Sequence, residues 1–393
     1  MRIFALIIVL IIYTLIIFFI GVKVISFLKL ILPFISSKIL WPLIFIFAYS
    51  LFAFYFLPAT SFLAKALRII SGYWMGFFMY TFLGLIAIYI IKLLLKLTPM
   101  RKNPLIMDNP LLWGSILSVV LIFIFSYGSY KAFHLVNKEY SIEINKNSPI
   151  ENLKVVMVSD IHLGYTIGSS HIDRIVDKIN REEPDIVFIV GDTFDNSYEA
   201  VTDIDKISDA LKGIKSTYGA YGVLGNHDVT AELKGRSDKS PDYTTPDDDM
   251  ISFFEKSEIT LLRDETILIK DAFYLVGRKD ASPIGAVNYE RAEVPTLLEG
   301  IDTKKPVILL DHQPARFSTI SEGIDLVVSG HTHNGQVFPG NIIVHGIYDN
   351  GYGYKQEGNL QSIVTSGAGV WGPPLRLASD SEVVTVNISF QKP

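Results

Sequence analysis

Gly330-His331-Thr332-His333 follows a short apolar run, Ile324 to Val328, and sets two imidazoles one residue apart at the end of a predicted buried strand. Two imidazoles in that position can serve two metal ions, one each. Four other apolar runs end in the same manner. Lys154 to Ser159 leads into Asp160-Ile161-His162, and Asp185 to Val190 into Gly191-Asp192. Tyr221 to Leu224 leads into Gly225-Asn226-His227-Asp228, and Val307 to Leu310 into Asp311-His312. Carboxylate, imidazole and amide-oxygen donors suit Mn, Fe, Zn or Ni rather than a soft metal. Asp160 and His162 lie two apart on an extended segment, so they share a side and would hold one ion with His333. Asp192 would bridge, and Asn226, His312 and His331 would hold the second ion. Two divalent ions roughly 3.5–4 Å apart activate a bound water and clamp both oxygens of an in-line displacement. His227 follows Asn226 directly and is the candidate proton donor to a leaving group, or hydrogen-bond donor to the transition-state oxyanion. Asp228 is the candidate carboxylate to orient its other ring nitrogen.

Each motif alone has a bland reading. Gly-Asp after a strand is often a turn, and a single histidine before Gln-Pro can be a loop residue. Their joint occurrence decides: five of the eight histidines fall at these strand ends. His134, His171 and His345 lie elsewhere and are assigned no role. Asp195 is expected either to orient a ligand or to cap a turn.

The elements that must position these residues alternate strand and helix. Ser170 to Asn180 carries Ile172, Ile175, Val176 and Ile179 at helical spacing, and a second helix fits Ala200 to Lys215. Such β-α-β-α order predicts a sheet core with helices outside, and in such folds ligand sites gather at the carboxyl ends of strands. After His345 the chain turns strand-like and glycine-rich, which fits a second sheet packed on the first.

The first third differs in kind. Residues 1–136 hold eleven Lys and Arg and one acid, Asp108; the remainder holds 24 basic and 39 acidic residues. Four apolar runs stand there: Ile3 to Val22, Ile39 to Leu57, Tyr73 to Leu95 and Leu111 to Val136. Each approaches the roughly 20 residues that span a bilayer core. None carries the polar stripe a soluble bundle needs, and the first lacks a small-residue cleavage site that would mark a signal peptide. The expectation is a four-helix membrane anchor (1–136), a polar linker (137–152) and a globular domain (153–393). The spans lack mid-depth acids or bases, so no ion path is expected. Seven basic residues flank the first and third loops against five on the other side, a bias that places the globular domain outside the cell membrane. The net charge of -5 argues against nucleic-acid binding, and the absence of cysteine removes thiolate ligands and disulfides.

Taken in order, these residues resemble the calcineurin-like metallophosphoesterases, whose pattern is D-x-H, G-D-x-x-D, G-N-H-D/E, a lone His, then G-H-x-H. Asp160 and His162, Asp192 and Asp195, Asn226 to Asp228, His312, and His331 and His333 fill all five blocks. The resemblance covers about Leu153 to Ser389. It implies an α/β fold, a four-layer α/β/β/α sandwich, with two divalent ions and hydrolysis of phosphate esters by metal-bound hydroxide. Gly330 to Gln336 and Trp371 to Arg376 look like the bacterial membrane-associated branch. Asn334 departs from it, since Gly is common there, and the stretch 229–249 is longer and more acidic than expected, as a lid or a surface loop would be. Tyr352, Tyr354, Trp371 and Arg376 are candidates for the cleft rim or, equally, for packing residues.

The expected partners are the lipid bilayer and a phosphate-ester substrate, with lipid-linked esters among the candidates: a phosphodiester, a pyrophosphate or a monoester. A UDP-2,3-diacylglucosamine pyrophosphatase-type enzyme is the alternative, and an outward-facing domain would count against it. A non-catalytic module retaining the fold is the alternative of another class; such a module would be expected to lose His227 or a ligand.

Overall fold

In the computed structural model the described residues are 2–58, 60–195, 198–229, 248–281, 289–320 and 322–392. Contacts divide the chain into two units, Met1–Gly128 with Gly372–Pro374, and Ser129–Trp371 with Leu375–Pro393.

The first unit is helical: α1 (Arg2–Ile31), α2 (Ser37–Ala53), α3 (Phe62–Leu95) and most of α4 (Pro110–Phe133). Three of these, α1, α3 and α4, are long and apolar enough to cross a membrane, whereas α2 has 17 residues. By helix length alone, three of the four expected spans are long enough, and α2 is the exception. The physical reason is local: after Ala53 the backbone tightens into a 3-10 turn, Phe54–Phe56. Side chains that would face lipid are exposed, as at Phe4, Val9 and Leu15. The inner contacts are small or hydrogen-bonded. Ile17, Ala48 and Trp74 pack together; Trp74 Nε1 donates to Tyr13 Oη (2.9 Å), which donates to the Ala48 carbonyl (2.9 Å). Such bonds tie helices where water offers no competition.

The second unit holds two six-stranded sheets. The first is built from β1 (Leu135–Asn147), β2 (Asn152–Val158), β3 (Ile186–Val190), β4 (Ala220–Val223), β5 (Ile259–Leu261) and β12 (Ser381–Gln391), in the order β1-β12-β2-β3-β4-β5. β2 to β5 run parallel; β12 enters antiparallel to β2 and parallel to β1. The second contains β6 (Glu265–Ile269), β7 (Phe273–Gly277), β8 (Val307–Leu310), β9 (Leu326–Ser329), β10 (Gly353–Glu357) and β11 (Leu360–Val364), ordered β10-β11-β9-β8-β7-β6. Its centre, β7-β8-β9-β11, is parallel, with antiparallel edges. Met157, Phe188 and Val190 from one sheet meet Leu275, Leu310 and Val328 from the other in a continuous core. The central strands read as unbroken apolar runs because both faces are covered.

Helices α5 (Ser169–Arg181), α6 (Ile204–Lys212) and α7 (Asp248–Lys256) cover the outer face of the first sheet. In α5 the buried residues are His171, Ile172, Ile175, Val176 and Ile179. Short helical turns, Val294–Leu297 and Phe317–Ile320, cover the second sheet.

One expectation fails outright. The segment expected as a linker, 137–152, is mostly edge strand: β1 pairs with β12 from Leu135↔Ser381 to Asn147↔Gln391. Ile142 and Ile144 are buried while Glu143 and Asn145 face out, the alternation of a half-covered strand. Most of the 229–249 stretch (230–247) lies outside the described residues.

Candidate metal centre

All seven expected ligands converge at the carboxyl edges of β2, β3, β4, β8 and β9. The backbone turns sharply to bring them there. Asp160, His162, Asp192, His331 and His333 all have positive φ, between 50° and 68°. Left-handed backbone is uncommon for residues other than glycine, and it gathers where surrounding structure holds a functional geometry. Glycines make the close approach possible: a Cβ on Gly225 would lie 2.2 Å from Asp192 Oδ1, and one on Gly330 would lie 2.0 Å from Ser159 Oγ and 2.3 Å from Asp160 Oδ2.

Three overlapping groups result: Asp160, His162 and His333; His162, Asp192 and His227; Asp192, His312 and His331. His162 Nε2 stands 3.0 Å from His333 Nε2, and His333 Nε2 lies 3.3 Å from Asp160 Oδ1. His312 Nε2 is 3.2 Å from Asp192 Oδ2, without the geometry of a hydrogen bond. Asn226 Oδ1 is 3.0 Å from His331 Nδ1. Two imidazole nitrogens aimed at each other, and a buried His312 Nε2 with no hydrogen-bond partner, are what a cation between donors would resolve. The donor set fits two divalent ions: both carboxylates are buried, and Asp192 belongs to two of the groups.

The electrostatics match a crowded, dry pocket. Burial pushes His162 and His331 down to about 4, and His333 well below the ordinary imidazole value. Burial also works against the Asp192 carboxylate, but His312 beside it outweighs that and holds it well below the usual range. The same contact outweighs burial at His312 and raises it. Neutral imidazoles are the form that binds metal.

His227 lies at the mouth. Its ring is edge-on to His162 (4.8 Å) and to Trp371 (6.1 Å), and its Nδ1 is 3.6 Å from Asp195 Oδ1. Burial lowers its pKa, but Asp195 and Asp192 outweigh burial and raise it.

Asp228 is not where the sequence placed it. Fully buried, its carboxylate accepts from Phe194 N (2.7 Å) and Gly225 N (2.8 Å), so it staples the β3 and β4 turns together. The carboxylate beside His227 is Asp195. Chain adjacency misled here, because a helical turn begins at 226 and carries the Asp228 side chain back under the loops.

Among the rim candidates, Trp371 is 47% exposed. Tyr352 donates to buried Glu382 (3.0 Å) and Tyr354 to Gln361 (3.0 Å). Arg376 is wholly buried, donating to the carbonyls of Ser366, Gly369 and Asp380 and to Ser379 Oγ. It thereby fixes the turn that carries Ala368 and Gly369, whose N–H groups bond to the carbonyls of Ser159 and Asp160 (2.9 Å each). The sequence leaves a packing role open for it but not which carbonyls it holds, since backbone carbonyls leave no mark in a sequence.

The five strand-end blocks converge at one edge in the order of the calcineurin-like pattern. The model of the calcineurin-like phosphoesterase family matches residues 153–335, and the chain belongs to that family. An uncharacterized metallophosphoesterase of Helicobacter pylori is 31% identical over 64% of this chain and 63% of its own length. One from Campylobacter jejuni is 30% identical over 77% of this chain and 76% of its own. A zebrafish (Danio rerio) transmembrane protein with metallophosphoesterase domain is 34% identical over 60% and 53%. The chain thus spans less than two thirds of the Helicobacter relative.

Proposed function

We propose that this chain is a membrane-anchored phosphoesterase in which Asp160, His162 and His333 hold one divalent ion, Asn226, His312 and His331 a second, and Asp192 both. The observation that carries this is the overlap of the three donor groups through His162 and Asp192. Two ions there, Mn, Fe or Zn, would supply an activated water and a clamp for phosphate oxygens. His227, beside the ligands and backed by Asp195, delivers a proton to the leaving oxygen. The relatives' names, metallophosphoesterase and transmembrane protein, support both halves of the reading.

The anchor is proposed to have four spans. Helix α2 and the 3-10 turn after it together reach about 30 Å, the thickness of the hydrocarbon core. Four crossings return the catalytic unit to the side of the N-terminus, and the lysine bias makes that side the outside. An envelope phosphodiester or phospholipid then suits the site better than a cytoplasmic nucleotide lipid.

The test uses the full chain in detergent, stripped of metal and given Mn, Zn, Fe or Mg in turn, against monoesters, diesters and pyrophosphates. Turnover should return with metal. His227→Ala should keep both ions and lose about 10²–10⁴ in kcat. Full activity in His227→Ala would remove the proton-donor role. Two bound ions without turnover on any ester would favour a binding module instead.

A further inference from the structure

The turn that carries His333 runs straight into an exposed apolar helix, α8 (Gly340–Ile347). None of its residues is buried. Ile342 is 62% exposed, Ile343 59% and Ile347 68%, and Phe338 just before it 53%. From His331 to Tyr348 there is no Asp, Glu, Lys or Arg. Elsewhere among the described residues of the strand-bearing unit, large apolar side chains this exposed are few: Leu268, Tyr354 and Trp371, besides Tyr130 in α4. Exposed apolar surface of this density marks an interaction site rather than ordinary surface.

The patch is built onto the metal centre. A Cβ on Gly335 would strike the Gly340 backbone at 2.2 Å, so the site turn and the helix start touch backbone to backbone. Gln336 grips Trp371 from both sides: its Nε2 donates to the Trp371 carbonyl (2.8 Å) and its Oε1 accepts from Trp371 N (3.0 Å). Trp371 in turn faces His227. An apolar helix, an exposed tryptophan and a catalytic histidine therefore form one connected edge.

What covers this edge is set by the rest of the chain. The last membrane-type helix, α4, ends at Phe133, and β1 begins at Leu135. One residue, His134, separates a membrane span from the catalytic unit. A tether that short gives lipid a high local concentration, so a few apolar side chains suffice for insertion. Helices that lie in the bilayer interface bury an apolar face at the headgroup level, and tryptophan favours that level.

We infer that α8, with Phe338 and Trp371, inserts into the phospholipid surface, and that the site beside it takes phosphate esters of lipid headgroups. The substrate class rests on the phosphoesterase reading; the insertion does not.

The chain has no cysteine, so single labels are clean. The full chain carrying Ile343→Cys, and separately the exposed control Lys304→Cys, is spin-labelled and reconstituted in phosphatidylcholine–phosphatidylglycerol vesicles. The label at 343 should collide with oxygen and be shielded from a water-soluble nickel complex, and the label at 304 the reverse. Equal nickel access at both sites overturns the insertion. So does spin–spin broadening at 343 that persists on dilution with lipid, since a second copy would then cover the helix.

A second arm joins Ile342→Asp and Ile343→Asp. Hydrolysis of a phospholipid in vesicles should fall at least about tenfold, while a soluble diester, bis(4-nitrophenyl) phosphate, keeps its rate. Equal loss on both would make α8 a mere support of the site and overturn the substrate assignment. Shielded labels with no hydrolysis of either ester by the unsubstituted chain would leave the insertion standing and remove the phosphoesterase reading.

Discussion

Asp311 and His312 are neighbours in sequence, yet they belong to two buried charge clusters of opposite character. Asp311 is fully buried and meets Arg291 Nη2 at 2.5–2.6 Å and Arg278 Nη1 at 3.4 Å. Arg278 also donates to the Ala292 carbonyl (2.9 Å) and to Glu293 (3.2 Å). Gln313 donates to buried Asp280 (2.9 Å). Every carboxylate there has a donor, and no cation is needed. On the other side of one peptide bond, His312 Nε2 has no hydrogen-bond partner, and His162 and His333 point nitrogen at nitrogen. Both clusters carry the desolvation cost of buried charge. One gives each carboxylate a donor of its own, while the other sets imidazole nitrogens against one another. Burial of charge alone therefore does not identify a site; the imbalance does.

The largest effect that tests this contrast is at Asp192. Asp192→Asn keeps the side chain's shape and its ability to accept from His227 N, now at 2.9 Å. It removes the charge shared by two donor groups. Bound divalent metal, counted by elemental analysis, should drop from two ions to one or none. Turnover should fall by at least about 10³, some 4 kcal/mol in the barrier, while the metal-free protein stays folded.

The counterpart is Asp311→Ala, which strands two guanidinium groups in the interior. Removing one partner of a buried pair costs about 3–5 kcal/mol, so the denaturation midpoint should fall steeply. Metal content should stay at two. If instead Asp311→Ala released metal and Asp192→Asn only lowered stability, the two clusters would have exchanged roles and the contrast would fail.

How much of this could be read beforehand follows from the same contrast. The candidate donor positions are legible because each ends a run buried on both faces, such as Ile186–Val190, where a polar residue is conspicuous. The two sheets were legible for the same reason. The edge strand β1 was not: its outward face is charged, and its partner β12 lies about 240 residues away. The orienting carboxylate was assigned to Asp228 because it is adjacent in sequence, while Asp195 reaches His227 through space. For Arg376 the sequence leaves rim and packing roles open, and only the fold shows which carbonyls it holds. Composition alone cannot show that the α-helix of α2 stops at Ala53 and that a 3-10 turn completes the apolar run.

The smallest effect is at Asn334, and it separates strain that serves the site from strain that does not. Asn334 has φ 48° and ψ 37°, the left-handed region, like His331 and His333 on either side of Thr332. Unlike them, its side chain points away from the donors. Its Nδ2 makes a long bond to the Ala378 carbonyl (3.4 Å), and its Oδ1 is buried without a hydrogen bond. A buried unsatisfied oxygen costs about 1–3 kcal/mol. Glycine would remove it and suit the backbone, against about 0.4–1 kcal/mol for the freer unfolded chain. Asn334→Gly should therefore stabilise by about 1 kcal/mol, or roughly 2–4 °C in Tm for a unit of this size, with metal content and kcat unchanged. A gain in stability with two ions retained would assign the strain at 334 to the loop alone. A loss of metal would mean that the Asn334 conformation helps to hold His333 in place, and the line between the two kinds of buried polar group would have to be drawn one residue further along the turn.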